Sequence, residues 1–267
     1  SSQNVARLMN KFMPIFHNTN YLPEAIGIDE FRGNAGGNKF QVAITDLKTH
    51  KVIDIISARS EYALYNFFRK ISNPKDVKLV TMDLSLFFKC IIQDVFPDAK
   101  IIADTFHFTR LMHWALDNVR KEVQKGLPKD MRIYFKHSRY VLHKRAKDLD
   151  PDQYNQLTNM LNYNEDLRWA YSIVQNLFEI IDEKNPDKKV SLFKEFMKYA
   201  SNCDLPEFNK HIQTYFKWYK YIINSFYTNY SNGITEGLNT KIKTLKRVSF
   251  GFRNFQNFRL RILLACS

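Results

Sequence analysis

Two aspartates and a glutamate occupy positions where a carboxylate could take part in catalysis or bind a metal ion, and not only be solvated. The first, Asp29, lies within the apolar run AIGIDEF (residues 25–31), which is typical of a strand. A carboxylate there is unfavourable unless a cation or several hydrogen-bond donors satisfy it. Because strand side chains alternate between two faces, only one of Asp29 and Glu30 can enter such a site. We predict that Asp29 is a metal ligand, and a structural hydrogen-bond acceptor is the alternative.

The other two acids stand at the ends of predicted elements. Asp83 follows the apolar run 77–82, directly before a helix capped near Ser85. Ligand sites gather at such strand ends in α/β sheets, although a helix cap is the alternative interpretation. Glu236 follows the turn-like residues 230–233 and opens a basic helix, where a first-turn acid also stabilises the helix dipole. Both acids are therefore candidate ligands with a structural alternative.

A second pair of residues competes for the metal role. Asp104 and His107, in the segment DTFH, follow the fifth predicted strand. A strand-end aspartate bonded to a histidine is also a common structural pair, so we treat both residues as secondary candidates.

Three carboxylates can hold the two divalent ions that phosphodiester transfer requires. One ion activates the attacking oxygen and the other stabilises the leaving oxygen. Hard oxygen ligands select Mg²⁺ or Mn²⁺. We predict two ions per site, with Asp29 bridging both and with Asp83 and Glu236 each completing one shell.

Other polar residues give no such pattern. Asp46 and Asp54 lie in a predicted hairpin and are interpreted as solvated, and four histidines are dispersed over predicted helices, namely His113, His137, His143 and His211. The three cysteines are widely spaced, which favours neither a zinc site nor a disulfide framework and indicates a reducing, intracellular compartment.

The elements that must position these residues form an α/β pattern. Strands are predicted at 25–31, 40–45, 52–57, 77–82 and 100–103, and helices at 60–71 and 85–95. A meander followed by strand-helix-strand units indicates a mixed sheet with flanking helices, in the order of RNase H-like folds. In that order strands one and four are neighbours, so Asp29 and Asp83 should lie side by side.

The rest of the chain is predicted to be helical. Helices are expected at 111–124, 132–143, 151–162, 165–182, 189–200, 206–227 and 235–247, the last with Leu238, Ile242 and Leu245 on one stripe. The predicted division is a helical lead-in (1–24), the first part of an RNase H-like core (25–108), a large all-α insertion (109–230), and the C-terminal core helix with a basic tail (231–267).

The charge indicates a polyanionic partner. Lys plus Arg number 40 against 27 for Asp plus Glu, a net charge of +13, and residues 237–267 hold seven Lys or Arg with no acid. We predict six phosphate-binding residues, namely Lys241, Lys243, Lys246, Arg247, Arg253 and Arg259. Four aromatic residues are candidates for stacking on an unpaired base, namely Trp114, Trp169, Trp218 and Phe252. Apolar runs are too short to span a bilayer, so no membrane partner is expected.

Four ordered motifs resemble the bacterial insertion-sequence transposases of the ISL-three group. They are IGIDEF (26–31), TMDLS (81–85), DTFH (104–107) and YSNGITEGLN (230–239), the last continued by KIK (241–243), GFRNF (251–255) and FRLR (258–261). The resemblance covers residues 25–264, the helical middle only in length and character. It implies an RNase H-like fold with a helical insertion and a DDE triad carried to Asp29, Asp83 and Glu236.

The resemblance also implies a setting. Members cut and join DNA with Mg²⁺ or Mn²⁺, act on transposon ends and target DNA as homo-oligomers, and work in the bacterial cytoplasm near the nucleoid. The family's N-terminal zinc-binding and helix-turn-helix segment has no counterpart in this sequence, so recognition of terminal repeats is not expected of it.

We therefore predict metal-dependent cleavage at a transposon end, followed by attack of the freed 3'-hydroxyl on target DNA. One alternative is an RNase H-like nuclease that does not join strands. Another is a DNA-binding protein that has lost catalysis. A membrane-surface or RNA-binding helical protein is a third, but it leaves Asp29 unexplained.

Overall fold

Five strands form one mixed sheet in the computed structural model, which describes residues 20–266. The strands are β1 (Ala25–Phe31), β2 (Gln41–Asp46), β3 (Lys51–Ile56), β4 (Leu79–Met82) and β5 (Lys100–Ala103). Their spatial order is β3-β2-β1-β4-β5, antiparallel for β1 with β2 and β2 with β3, and parallel for β1 with β4 and β4 with β5. This is the predicted RNase H-like order, and the predicted fold class is confirmed.

Eleven α-helices lie within the described residues. They are α1 (Glu61–Phe68), α2 (Leu86–Val95), α3 (Thr105–Lys125), α4 (Lys129–His137), α5 (Arg139–Leu142), α6 (Pro151–Tyr163), α7 (Glu165–Asp182), α8 (Pro186–Ser201), α9 (Pro206–Phe226), α10 (Gly233–Val248) and α11 (Phe255–Cys266). Short 3₁₀ turns occupy Pro74–Asp76 and Ala146–Asp148. None of the helices in residues 20–266 is long and apolar enough to cross a membrane.

The chain divides into two compact units, which are described separately. The sheet unit comprises the described residues up to 105 together with 228–266, and the helical unit comprises 106–227. The four-part division predicted from sequence stays a prediction. Of the predicted helical lead-in, residues 1–19 lie outside the described residues, and 20–24 are not helical.

One face of the sheet is covered by the two C-terminal helices. Phe31 of β1 and Ile55 of β3 share an apolar cluster with Ile242 of α10 and with Phe258 and Ile262 of α11. The stripe predicted for α10 faces this cluster, since Leu238 and Leu245 pack against it beside Ile242. Because alternate residues of a strand share a face, Asp29 lies on the same side of β1 as Phe31.

The last helix corrects two expectations. The predicted basic tail is mostly helix α11, whose buried side chains join the core. Its Arg259 forms a two-bonded ion pair with Asp54 of β3, at 2.5 Å to Oδ1 and 2.8 Å to Oδ2. Asp54 is therefore buried and not solvated, because its charge is matched by a residue about 200 positions later that a local pattern does not show.

The helical unit is organised by aromatic packing. Tyr215 of α9 is fully buried, and its hydroxyl donates to the backbone oxygen of Phe108 at 2.7 Å. The ring of Phe193 from α8 stacks on that of Tyr215 with 5.9 Å between centroids and meets Phe226 edge-on at 5.4 Å. Several of its helices begin where the sequence has caps: Asp150 and Asn164 accept from backbone N–H groups, and Pro206 stands in the first turn of α9.

Three predicted boundaries were wrong in informative ways. Helix α3 begins at Thr105, six residues before the predicted start, and the buried Phe108 lies in this added first part of the helix. The predicted helix 132–143 is split at the buried Ser138, which separates α4, ending at His137, from α5, beginning at Arg139. Strand β4 begins at Leu79, because the preceding residues form a 3₁₀ turn started by Pro74.

Candidate active site

The strand register brings three aspartates to one edge of the sheet. Ile28 of β1 pairs with Met82 of β4, and Met82 pairs with Ala103 of β5. Asp29, Asp83 and Asp104 each come one residue after these partners. Since the three strands run parallel about 5 Å apart, the acids follow one another along the edge.

Asp29 is the most electrostatically unfavourable of these acids. Its Oδ1 accepts from the N–H of Glu30 at 2.8 Å, and its Oδ2 accepts from Nδ2 of Asn239 at 2.7 Å. Burial, reinforced by the charge of Asp83 and more weakly by that of Asp104, raises the pKa of Asp29 to about 7 despite both hydrogen bonds. A bound cation would remove this penalty.

The first half of α10 is held against the sheet by three polar side chains at helical spacing. Asn232 accepts from the hydroxyl of Thr81 at 3.1 Å, the hydroxyls of Thr235 and Thr45 lie 2.8 Å apart, and Asn239 reaches Asp29. Asn232, directly before α10, and Thr235 and Asn239 within it are all buried. The positioning role of Asn232, Thr235 and Asn239 was not predicted, although their spacing of three and four residues is visible in the segment NGITEGLN.

Gly27 permits this close approach of helix to sheet. A Cβ at that position would collide with the hydroxyl oxygens of both Thr235 and Thr45. The glycine of the motif IGIDE is therefore required by the approach of α10 to β1 at Thr235, the residue directly before Glu236.

Glu236 itself is exposed in the first turn of α10. It lies one turn before Asn239 on α10. The two residues are therefore neighbours on the helix surface, and Asn239 is the one that contacts Asp29. Within residues 20–266 no three His, Cys, Asp or Glu side chains converge as a group ready to hold a metal ion. The donors nevertheless fit a hard divalent cation in kind, since Asp29 and Asp83 are carboxylates and the charge of Asp83 raises the pKa of Asp29.

The other candidate ligands, Asp104, His107 and Glu30, differ from Asp83 in where they lie. Asp104 is buried at the end of β5, one strand further from Asp29 than Asp83 is. His107 belongs to the helical unit, where its Nδ1 lies 3.0 Å from Nη2 of Arg110. Burial, with this cation beside it, lowers the pKa of His107 to about 4, so the ring is neutral near pH 7. Glu30 forms an ion pair with Arg59, as expected for the acid that points away from the site.

A matching family model covers residues 26–262, from β1 through α11, and its description is "Transposase", of the DDE type of the ISL3 group. The chain belongs to the ISL3 family of DDE transposases. The matched region contains every one of the candidate carboxylates, and the resemblance inferred from the four motifs is confirmed.

Two curated relatives bear transposase names. The transposase for insertion sequence element IS1001 of Bordetella parapertussis is 25% identical over 247 residues, which cover 91% of this chain and 61% of that protein. The transposase for IS1557 of Mycobacterium tuberculosis is 23% identical over 257 residues, covering 86% of this chain and 57% of that protein. The chain thus spans about three fifths of the length of these two relatives.

A third relative has a different name. A Lactococcus lactis protein called an ATP-dependent protease is 38% identical over 99 residues, which cover 37% of this chain and 30% of that protein. The family match extends over the whole sheet and the helical unit, so it, and not this shorter similarity, gives the family of the chain.

The predicted phosphate-binding residues of this family member fall into two groups. Lys243, Arg247 and Arg253 are exposed. In contrast, Lys241 donates to the backbone oxygen of Ala265, Lys246 donates to that of Arg32 at 3.2 Å, and Arg259 is paired with Asp54. The first three remain available for a polyanion, whereas the last three already bind protein groups.

The predicted stacking aromatics are mostly engaged. Trp218 is buried, and Phe252 stacks on Phe258 with 4.8 Å between ring centroids. Trp114 lies under the guanidinium of Arg110, 5.0 Å from its ring centroid. Trp169 is half-exposed, but four acids line the same pocket, Glu165, Asp166, Glu195 and Asp204, which is a poor surface for nucleic acid.

The sequence suggested that the four helical histidines are dispersed, but two of them are in contact. His113 of α3 and His143 lie with their Nδ1 atoms 3.2 Å apart. Burial, together with the facing ring of His143, lowers the pKa of His113 to about 4. This pair could not be recognised locally because 30 residues separate its members.

Proposed function

We propose that this chain is the catalytic part of a transposase that cuts DNA at transposon ends and joins the freed 3'-hydroxyl to target DNA. The observation that supports it most is the alignment of three aspartates on adjacent parallel strands: Asp29 directly follows the last β1 residue paired with β4, and Asp83 and Asp104 directly follow β4 and β5. The helix that carries Glu236 contacts this edge through Asn239. Such an edge concentrates negative charge where a metal-dependent phosphoryl-transfer enzyme needs it.

In this proposal Asp29, Asp83 and Glu236 would hold two Mg²⁺ or Mn²⁺ ions. The ions, when bound, activate the attacking oxygen and stabilise the leaving oxygen. Asn239 fixes the rotamer of Asp29, because its amide donates to Oδ2 and leaves Oδ1 toward the backbone of Glu30. Supporting hydrogen bonds of this kind orient ligands and tune their affinity.

Asp83 is the preferred second ligand. Its strand is the direct neighbour of β1, whereas β5 is one strand further away. Asp83 also raises the pKa of Asp29 more than Asp104 does, as expected of the closer charge. Asp104 and His107 remain secondary candidates.

The DNA would be held by exposed cations on the second half of α10 and in the loop after it. Lys243, Arg247 and Arg253 are the phosphate contacts that we propose, and Lys241, Lys246 and Arg259 would act mainly in holding α10 and α11. The active complex is proposed to be a homo-oligomer on paired transposon ends, in keeping with the transposase names of the relatives.

The test is cleavage and strand transfer on labelled duplex DNA in Mg²⁺ and in Mn²⁺, with a pre-nicked end included. Asp29→Asn, Asp83→Asn, Glu236→Gln and Asp104→Asn are compared with the wild type and with Asp98→Asn, an exposed acid outside the site. Loss of products in the first three, with DNA binding retained, is the expected result, and Asp98→Asn should remain active.

Each other outcome has a definite meaning. Loss in Asp104→Asn but not in Asp83→Asn makes Asp104 the second ligand. Cleavage without joining makes the chain a nuclease, and DNA binding without any cleavage in either metal makes it a binding protein that has lost catalysis.

A further inference from the structure

The loop that ends helix α10 holds a phenylalanine entirely in solvent. Phe250 is 101% exposed, and its φ of +55° lies in the left-handed region. The N–H of Phe250 donates to Arg247 O at 3.1 Å, and that of Gly251 donates to Lys246 O at 2.9 Å. This pair of bonds is the Schellman motif, in which the left-handed position normally belongs to glycine.

The fold gives no reason for a phenylalanine at this position. A bulky side chain in the left-handed region is strained, whereas glycine would adopt it freely. The ring buries no surface against the chain, so packing offers no compensation. Strain of this kind clusters at functional positions such as active sites and ligand clamps.

The surroundings of Phe250 indicate the nature of that partner. Arg247 and Arg253 flank it and are exposed, and Lys243 is exposed one turn earlier on α10. No acid occurs from residue 237 to 267. An exposed ring among cations fits nucleic acid, because the cations meet phosphates while the ring stacks on a base.

We propose that Phe250 stacks on an unpaired or unstacked base of bound DNA. This inference rests on the proposed function in taking DNA as the partner, but it adds a contact remote from the carboxylates. Glu236 and Phe250 are 14 residues apart, about 20 Å along a helix of 1.5 Å rise. The stacked base would therefore lie within about six base steps of the phosphate at Glu236, given roughly 3.4 Å per step.

The decisive variant is Phe250→Gly, because stability and binding should move in opposite directions. Glycine relieves the left-handed strain, so the melting temperature should stay the same or rise by about 2–4 °C. Affinity for a duplex with one unpaired base should fall roughly 5- to 100-fold. The salt dependence of binding should not change, since no phosphate contact is lost.

Matched variants separate stacking from general apolar contact. Phe250→Trp should retain the affinity, and Val248→Ala, which truncates a neighbour that is 66% exposed, should not lower it. Wild-type protein should quench the fluorescence of an unpaired 2-aminopurine in the duplex, and Phe250→Gly should not.

The outcomes distinguish this inference from the proposed function. If the wild type binds no DNA, both are overturned. If it binds and Phe250→Gly binds equally well without loss of quenching, only the stacking role is overturned. If Phe250→Gly instead loses self-association in sedimentation while keeping its DNA affinity, the ring belongs to a contact with a second copy of this chain.

Discussion

Asp29 of β1 and Asp83, directly after β4, share one edge of the sheet, where burial disfavours the charge of Asp29. The pKa of Asp29 rises to about 7, although two N–H groups donate to its carboxylate. An acid kept in so unfavourable a state is a recognised sign of a functional site. Asp29 should therefore report directly on whether a cation belongs there.

Asp29→Asn should stabilise the metal-free protein near pH 8 and not near pH 4. The pKa of Asp29 is higher in the folded state than the ordinary value of 3.8, so the folded state keeps a proton that the unfolded state has released. Wild-type stability is thus lost as the pH rises from about 4 through about 7, by at most about 4 kcal/mol. Thermal unfolding in chelator across this range measures the difference.

Near pH 8, added Mg²⁺ or Mn²⁺ should make the wild type more stable than Asp29→Asn. The cation stabilises the wild-type carboxylate and not the amide of the variant. A difference between wild type and variant that is the same at every pH, with or without metal, would contradict the account of Asp29.

Asn239→Ala should weaken metal binding without unfolding the protein. Its amide holds Oδ2 of Asp29 at 2.7 Å, and loss of such a supporting bond typically costs about 10- to 100-fold in metal affinity. The metal concentration that gives half-maximal cleavage is the measurement. Thr244→Ala, an exposed change on the same helix, serves as the control and should leave that concentration unaltered.

At the scale of elements, the position of α10 depends on close contact with β1. The hydroxyls of Thr235 and Thr45 meet beside Gly27, where no side chain fits. The helix therefore carries Glu236 at a distance from the sheet that a single methyl group would change.

Gly27→Ala should push α10 away from the sheet. We expect a loss of about 1–3 kcal/mol in the free energy of unfolding, as is usual for overpacking, together with loss of cleavage. Gly237→Ala is the control, since a Cβ there meets nothing within 4 Å and alanine favours a helix. Chemical denaturation and cleavage assays on both variants test this prediction. Equal stability of the two variants would show that the contact of α10 with β1 at Gly27 is not tight.

Two arginines of the C-terminal segment should behave differently. Arg259→Gln should destabilise the fold by about 3–5 kcal/mol, because it leaves the buried charge of Asp54 unpaired. Arg253→Gln should leave stability unchanged but reduce the slope of log affinity against log salt by about 1. Denaturation and salt-dependent DNA binding of both variants test this. If only Arg259→Gln altered the salt slope, Arg259 and not Arg253 would be the residue that contacts phosphate.

The elements show what local pattern can and cannot predict. Strands β1 and β5 and helix α7 match the predicted ranges, because their apolar runs are bounded by clear caps or charged residues. The pairing of Asp54 with Arg259 and the contact of Asn239 with Asp29 join residues more than 200 positions apart, so no local pattern could show them. The same holds for Phe250, whose exposure depends on how the Schellman turn ends α10.

At the scale of the whole molecule, the sheet order explains why distant motifs act together. The parallel pairing of β1 with β4 and of β4 with β5 brings residues 29, 83 and 104 to one edge, and α10 returns to it after the helical unit. The sequence predicted Asp29 and Asp83 as neighbours from strand order alone. It could not decide between Asp83 and Asp104, because that choice depends on distances across the sheet.

The most direct test of the central claim is DNA joining by Asp83→Cys and Glu236→Cys in Mg²⁺ and in Mn²⁺, with Asp98→Cys as the control. A thiolate is a poor ligand for the harder Mg²⁺ and a better one for Mn²⁺. We predict that both site variants join no DNA in Mg²⁺ and regain joining in Mn²⁺, while the control joins in both. Equal joining in the two metals by Asp83→Cys and Glu236→Cys would show that these residues are not metal ligands and would contradict the account.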